Sequence, residues 1–251
     1  MVSPIHWQHG AISRKAARDT IDDLLVGGYS TISLGYAGLW ECVRALTGEK
    51  LTSEIGTKTG LDIMKYMNKK CDDWNKELNL GFSIYGTPIE STTWKFAKAI
   101  RNRFGVIEDV TDKNYITNSY HVKVTEPINP FEKLKFESQF QALSTGGAIS
   151  YIECSDLKGN IEAVLDVLKY IYNNIMYAEL NIKSDYCSCC GWDGEIEIVT
   201  GEDGKHFWRC PKCGNTDKNK MSVARRTCGY IGANFWNQGR TEEIKERYVH
   251  L

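Results

Sequence analysis

The sequence predicts an α/β protein: a partial sheet or barrel with interleaved helices, followed by a cysteine-rich metal module. Three observations carry this. Residues 1–186 alternate short strand patterns with helical periodicity, the signature of an α/β sheet or barrel. Only about four or five strands are convincing, so the sheet is either open or one part of a larger structure. Five of the nine cysteines fall within 27 residues, between Cys187 and Cys213.

In chain order, Arg14 to Val26 reads as a helix with Ile21, Leu24 and Leu25 on one side, stopped by Gly27 and Gly28. Tyr29 to Tyr36 reads as a strand, and Leu39 to Leu46 as a short helix ended by Gly48. Leu61, Met64, Met67, Cys71, Trp74 and Leu78 recur at steps of three and four and predict a long amphipathic helix. Gly81 to Gly86 is a strand, and Trp94, Ala97, Ile100 and Phe104 mark the next helix. Residues 105–135 are polar and weakly periodic, with Pro127 and Pro130, and read as a long excursion. Ala148 to Ile152 is a strand, after which Asn160 caps a helix carrying Ile161, Val164, Leu165, Leu168, Ile171, Tyr172, Ile175 and Met176. Scattered cysteines such as Cys42 and Cys71 are expected to be small buried hydrophobes.

Composition excludes several classes. Lys plus Arg is 31 against 32 for Asp plus Glu, giving a net charge of −1 and no basic field for a nucleic-acid backbone. No run approaches the roughly 18 apolar residues of a membrane helix. The start of the chain lacks the basic-then-apolar layout of a signal peptide, so a cytoplasmic location is expected.

Cys187-x-x-Cys190-Gly191 and Cys210-Pro-Lys-Cys213-Gly214 form two Cys-x-x-Cys-Gly knuckles separated by 19 residues. Each can present two thiolates from one tight turn, and four soft ligands at tetrahedral corners suit zinc. A rubredoxin-type iron site would use the same four sulfurs. Cys189 competes for a place, but Cys187 with Cys190 repeats the spacing of Cys210 with Cys213. Between the knuckles, 195–199 and 205–209 predict a hairpin, the layout of a zinc ribbon. Four closed thiolates leave no open position, so the site is expected to be structural. The ribbon's Glu195, Glu197, Glu202 and Asp203 suit nucleic acid poorly.

Thr87-Pro-Ile-Glu-Ser91-Thr92-Thr93 follows a strand and opens a helix. Backbone N–H groups there, with Ser91 and Thr92, are suited to a phosphate. The competing reading is an ordinary cap with Thr87 as a turn residue. Beyond the cysteines, Arg225-Arg-Thr-Cys-Gly229-Tyr230 precedes Phe235-Trp-Asn-Gln-Gly239-Arg240-Thr-Glu-Glu-Ile244. From composition this is a glycine-rich loop closing on a core, with a final helix from Arg240 through Glu246 and with Gly232 and Gly239 as turn glycines.

These last two runs, with the paired knuckles upstream, resemble the anaerobic, oxygen-sensitive ribonucleoside-triphosphate reductases, a glycyl-radical family. His6 to Ala11, Gly27 to Leu39 and Thr87 to Ser91 resemble the same family's barrel, so the likeness covers essentially the whole chain. The resemblance implies the C-terminal portion of a ten-stranded α/β barrel (1–183), a zinc ribbon (184–216), and a glycyl-radical loop with C-terminal tail (217–251). It implies that Gly229 stores the radical and that the zinc sits beside the radical loop. It also implies that Thr87, Ser91 and Thr92 line the substrate pocket. A [4Fe–4S], S-adenosylmethionine-dependent activating enzyme would install the radical. The substrate would be a ribonucleoside triphosphate and the complete reductase a homodimer. Cys228 is adjacent to Gly229, but adjacency alone does not make it the thiyl residue.

The family's upstream cysteines and regulatory domain have no counterpart in this sequence. The expectation is therefore one half of a split enzyme or a truncated product, inactive without the remaining N-terminal part. Two other readings stand beside it: a glycyl-radical spare-part domain, and a zinc-ribbon binding module with an attached scaffold or remnant.

Overall fold

A computed structural model describes residues 4–10, 13–86, 89, 92–226, 231–233 and 237–251. The chain opens with helices α1 (Pro4–His9) and α2 (Asp22–Leu25), strand β1 (Thr31–Gly35), and helices α3 (Leu39–Thr47) and α4 (Glu54–Leu78). Next come β2 (Gly81–Tyr85), α5 (Thr92–Phe104), α6 (Pro130–Gln141), β3 (Ser150–Cys154), α7 (Ile161–Asn174) and β4 (Ala178–Ile182). The C-terminal part adds β5 (Asp185–Cys187), β6 (Trp192–Gly194), β7 (Glu197–Thr200), β8 (His206–Arg209), β9 (Met221–Ser222), β10 (Arg225–Arg226), β11 (Ile231–Gly232) and α8 (Gln238–Glu246).

β1 and β2 pair in parallel from Thr31↔Gly81 to Gly35↔Tyr85, and β3 and β4 in parallel from Ser150↔Ala178 to Cys154↔Ile182. One parallel bridge, Gly86↔Ala148, joins the two pairs. The strands therefore run β1-β2-β3-β4 in chain order, with helices in each connection, as βαβ crossovers require.

Each strand alternates faces. Leu34, Phe82 and Ile84 pack with Trp40, Val43, Met64 and Phe140 in one core. Ile152 and Cys154 pack with Leu134, Leu157 and Val167 in a second. Tyr151 and Glu153 point to the opposite face, beside Glu179 and Asn181 on β4 in register. A third, separate cluster of Cys187, Ile196, Trp208, Cys210 and Val223 sits in the C-terminal module.

Several expectations change. The helix expected over 14–26 is only Asp22–Leu25. The Asp19 carboxylate accepts from the Ala16 N–H at 2.9 Å, and such a local bond competes with helix formation. The long helix starts at Glu54, where Ser53 caps the Gly56 N–H at 3.0 Å, rather than near Leu61. Gly56 and Gly60 weaken the sequence signal, yet both are needed. A Cβ on Gly56 would lie 1.8 Å from the Lys50 carbonyl oxygen, and one on Gly60 would lie 2.7 Å from Leu51 Cδ1.

The stretch 105–135, expected as a long excursion, packs into the interior over much of its length. Tyr115, Ile116, Thr117, Tyr120, His121 and Val122 are buried, and α6 begins within it behind an Asn129 cap. Its polar groups are satisfied internally: the Glu41 carboxylate accepts from both the N–H and the hydroxyl of Thr117 at 2.8 Å. Strand β4 is a further element without a sequence signal. Cys42 is exposed rather than buried, while Cys71 and Cys154 are buried. Gly232 is a strand residue paired with Arg225, and Gly239 lies in the first turn of α8. A Cβ on Gly239 would come 2.1 Å from the Asn114 carbonyl oxygen, so close packing rather than a turn accounts for it. Among the described residues, no helix is long and apolar enough to cross a membrane.

Candidate metal centre and loop-flanking network

Both knuckles fold the same way. The Gly191 N–H donates to the Cys187 carbonyl, and the Gly214 N–H to the Cys210 carbonyl, each at 2.9 Å. The two glycines have φ of 69° and 73°, the left-handed region that glycine enters freely. The turns bring Cys187, Cys190, Cys210 and Cys213 together, with all four sulfurs within 4.8 Å of one another. Sγ of Cys187 is 3.8 Å from that of Cys213, and Sγ of Cys190 is 3.6 Å from that of Cys210.

These separations are too long for disulfides. They match the edge of a tetrahedron with metal–sulfur bonds of about 2.3 Å, which is about 3.8 Å. Cys187 and Cys210 are buried, and Asn215 Nδ2 donates toward Cys187 Sγ at 3.7 Å. The donor set therefore fits zinc. Cys189 is exposed and outside the set. β7 and β8 pair from Glu197↔Arg209 to Thr200↔His206 between the knuckles.

Gly229 lies outside the described residues, as do Thr227, Cys228 and Tyr230. The flanking strands are described: β10 and β11 pair antiparallel as Arg225↔Gly232 and Arg226↔Ile231. Arg225 is buried, and its Nη1 and Nη2 donate to Asp185 Oδ1 and Oδ2, both at 2.7 Å. Arg226 pairs with Glu179 at 2.5 Å, and its guanidinium lies 5.0 Å from the Tyr151 ring centroid. Tyr151 extends a stack through His121 (5.8 Å) and Tyr120 (4.8 Å further), so Arg226 rests on a column rooted in the first core.

The second face of β3 and β4 meets α8 and the tail. Arg247 Nη1 donates to Glu153 Oε1 at 3.1 Å and to the Arg226 carbonyl at 2.9 Å. Asn181 Nδ2 donates to the same Glu153 oxygen at 2.7 Å. Arg240 Nη1 and Arg247 Nε donate to the two oxygens of Glu243, at 2.5 and 3.0 Å. The Glu153 N–H donates to His250 Nδ1 at 2.9 Å, and burial pushes that imidazole down to about 4, so it stays neutral. A cavity of about 50 Å³ lies among Tyr151, Glu153, Arg240, Glu243, Arg247 and His250.

Burial works against the charge on Glu243, but Arg247 and Arg240 outweigh it and hold the carboxyl at about 2. Its folded value lies below the ordinary 4.5. The stabilisation is therefore full above about pH 4.5 and is lost as pH falls toward 2. Glu243→Gln is expected to lower unfolding free energy by about 3 kcal/mol at pH 7. Urea melts at pH 7 and pH 3 should show the deficit shrinking in acid. A deficit independent of pH would assign it to packing alone.

Thr87 and Ser91 also lie outside the described residues. Thr92 opens α5 and is half-buried. Ile89, between them, is fastened from both sides: its N–H donates to Asn118 Oδ1 at 3.0 Å and its carbonyl accepts from Arg240 Nη2 at 2.5 Å. Sequence reasoning missed Asp185, Glu153, Glu243, Arg247 and His250. The only local hint was a density of charge in a short tail otherwise bound for a core.

A family model described as anaerobic ribonucleoside-triphosphate reductase matches residues 1–250. A protein of that name from Haemophilus influenzae is 40% identical over the whole of this chain, which covers 36% of the relative. The namesake from Enterobacteria phage T4 is 37% identical over 99% of the chain, covering 40% of the relative. The chain thus spans little more than a third of these relatives' length. Among solved structures, an anaerobic ribonucleotide reductase superposes with a TM-score of 0.63 at 22% identity, over 88% of this chain and 34% of that one. The Thermotoga maritima enzyme with MES in its active site gives 0.55 at 21%, over 81% of this chain and 32% of that one. At these identities the structural likeness speaks for the fold.

Proposed function

Because the chain belongs to the anaerobic ribonucleoside-triphosphate reductase family, we propose that it is the radical-bearing portion of such an enzyme, with Gly229 as the radical store. The observation that carries this reading is a juxtaposition. The four-cysteine centre and the strands flanking 227–230 are joined by buried contacts, within a chain that matches the family throughout.

Glycine suits the task chemically. Its Cα has no side chain to clash, so a planar radical delocalises over both neighbouring peptide groups. An activating enzyme using S-adenosylmethionine and a [4Fe–4S] cluster takes one hydrogen atom from Gly229. The radical then takes the hydrogen of a cysteine thiol on the remaining part of the reductase, and the resulting thiyl takes a hydrogen from the ribose. The 2′-hydroxyl leaves as water. An external reductant supplies two electrons, which with two protons complete the water and place a hydrogen on C2′. The thiol then returns the abstracted hydrogen to the ribose, regenerating the thiyl.

Cys187, Cys190, Cys210 and Cys213 would hold zinc as a closed structural site. Thr87, Ser91 and Thr92 would meet the substrate phosphates at the start of α5, supported by the double fastening of Ile89. Residues 1–183 would be part of the ten-stranded barrel, 184–216 the zinc ribbon, and 217–251 the radical loop and tail. The independent core of the cysteine module supports that division. The complete reductase would be a homodimer working in a reducing cytoplasm, where thiolates persist.

Completion in trans tests the reading. The 251-residue chain with the activating enzyme alone should form no deoxyribonucleotide. Adding the remaining N-terminal portion should restore turnover. Turnover by the chain without that portion would overturn it.

A further inference from the structure

We propose that Asp185 and Trp208 are the positioning residues through which the four-cysteine module fixes the two arms, Arg225–Arg226 and Ile231–Ala233, on either side of residues 227–230. This rests on the assignment of the radical to Gly229. The two residues occupy equivalent places: each lies two positions before the first cysteine of a Cys-x-x-Cys pair, Cys187 and Cys210 respectively. Along extended backbone, residues two apart project from the same face. Asp185 and Cys187 share one face of β5, Trp208 on β8 precedes Cys210 by the same step, and all four side chains are buried.

The supports hold opposite arms of the β10–β11 hairpin. Asp185 takes the first arm through its bidentate pair with Arg225, both at 2.7 Å, with side chains 1% and 5% exposed. Asp185 also accepts from the Ile196 N–H, while Arg225 Nη2 donates to the Ile196 carbonyl, each at 2.7 Å, so the backbone of one residue holds both members of the pair. Trp208 takes the second arm: its Nε1 donates to the Ala233 carbonyl at 3.1 Å, immediately after β11. Its ring also lies under the Arg225 guanidinium, 5.0 Å from the centroid. Since Arg225 pairs with Gly232, next to Ala233, the two anchors hold facing positions on the two arms. Planar, charge-assisted bidentate bonds in a buried setting are directional, so they fix orientation as well as position.

The experiment uses the assembled reductase with its activating enzyme, comparing the parent with Asp185→Asn and Trp208→Phe. Zinc per chain, amide hydrogen exchange and the radical signal are measured on each. Both variants should keep zinc. Exchange at residues 226–233 should rise about tenfold in Trp208→Phe, which loses one hydrogen bond, and further in Asp185→Asn. The radical signal per chain should fall with it. Zinc-loaded variants with unchanged exchange at 226–233, or with exchange raised only within 185–215, would overturn the proposal. If Asp185→Asn fails to fold, Trp208→Phe decides, because it removes the indole N–H and leaves an aromatic ring at that position. If the parent gives no radical signal, the Gly229 assignment fails, and the exchange data still judge the positioning role.

Discussion

Gly229→Ala is expected to abolish the radical signal of the activated, assembled reductase while leaving the metal in place. A methyl on Cα crowds a planar radical between two peptide groups and removes one of the two hydrogens available for abstraction. The parent enzyme exposed to air should break at Gly229 and release a piece running from near Tyr230 to Leu251. The variant should stay intact. Zinc should be retained because Gly229 is outside the cysteine set and all four ligands are upstream of it. Electron paramagnetic resonance with mass spectrometry of the air-exposed chain makes the comparison. A persistent doublet in the variant, or parent cleavage at Gly232 or Gly239, would move the radical elsewhere.

Cys210→Ser should cost the chain its metal and then its C-terminal order. Structural zinc sites of this type contribute about 10–16 kcal/mol in isolated peptides, more than the small core around them. That core is Cys187, Ile196, Trp208, Cys210 and Val223, two of which are themselves ligands. Elemental analysis should fall from about one zinc per chain to near none. Protease sensitivity should appear between 185 and 226. Because Asp185 and Trp208 sit in the same module, the hairpin around 227–230 should loosen with it. A metal-free parent with 187–213 still ordered would contradict the assignment.

The parts of this fold legible in the sequence were those governed by short-range rules. The period from Leu61 to Cys71 gave the middle of α4, and the Cys-x-x-Cys-Gly repeats gave the convergence of four sulfurs. At the end of α4 the stripe outlasts its cover, since Trp74 and Leu78 are exposed.

The illegible parts were those where polar residues go inside. Helix α6 buries Lys133, Glu137 and Gln141 beside Leu134 and Phe140, which erases an apolar period. Lys133 donates to Glu137 one turn away at 2.5 Å, and Gln141 Nε2 reaches the Tyr177 carbonyl at 2.7 Å, so burial is satisfied by partners that no local pattern reveals. Residues 113–122 misled for the same reason. Asp185 reads as a surface residue until Arg225, forty positions later, is brought against it.

The central claim is that one specific Cα, at Gly229, carries the radical, and the spectrum of protein grown on α-deuterated glycine tests it most directly. An activated glycine keeps one α-hydrogen, so the ordinary signal should be a doublet. Deuterium couples far more weakly, so the labelled enzyme should give a single unresolved line, with Gly229→Ala giving none. A splitting that survives deuteration would place the unpaired electron on another residue and contradict the account.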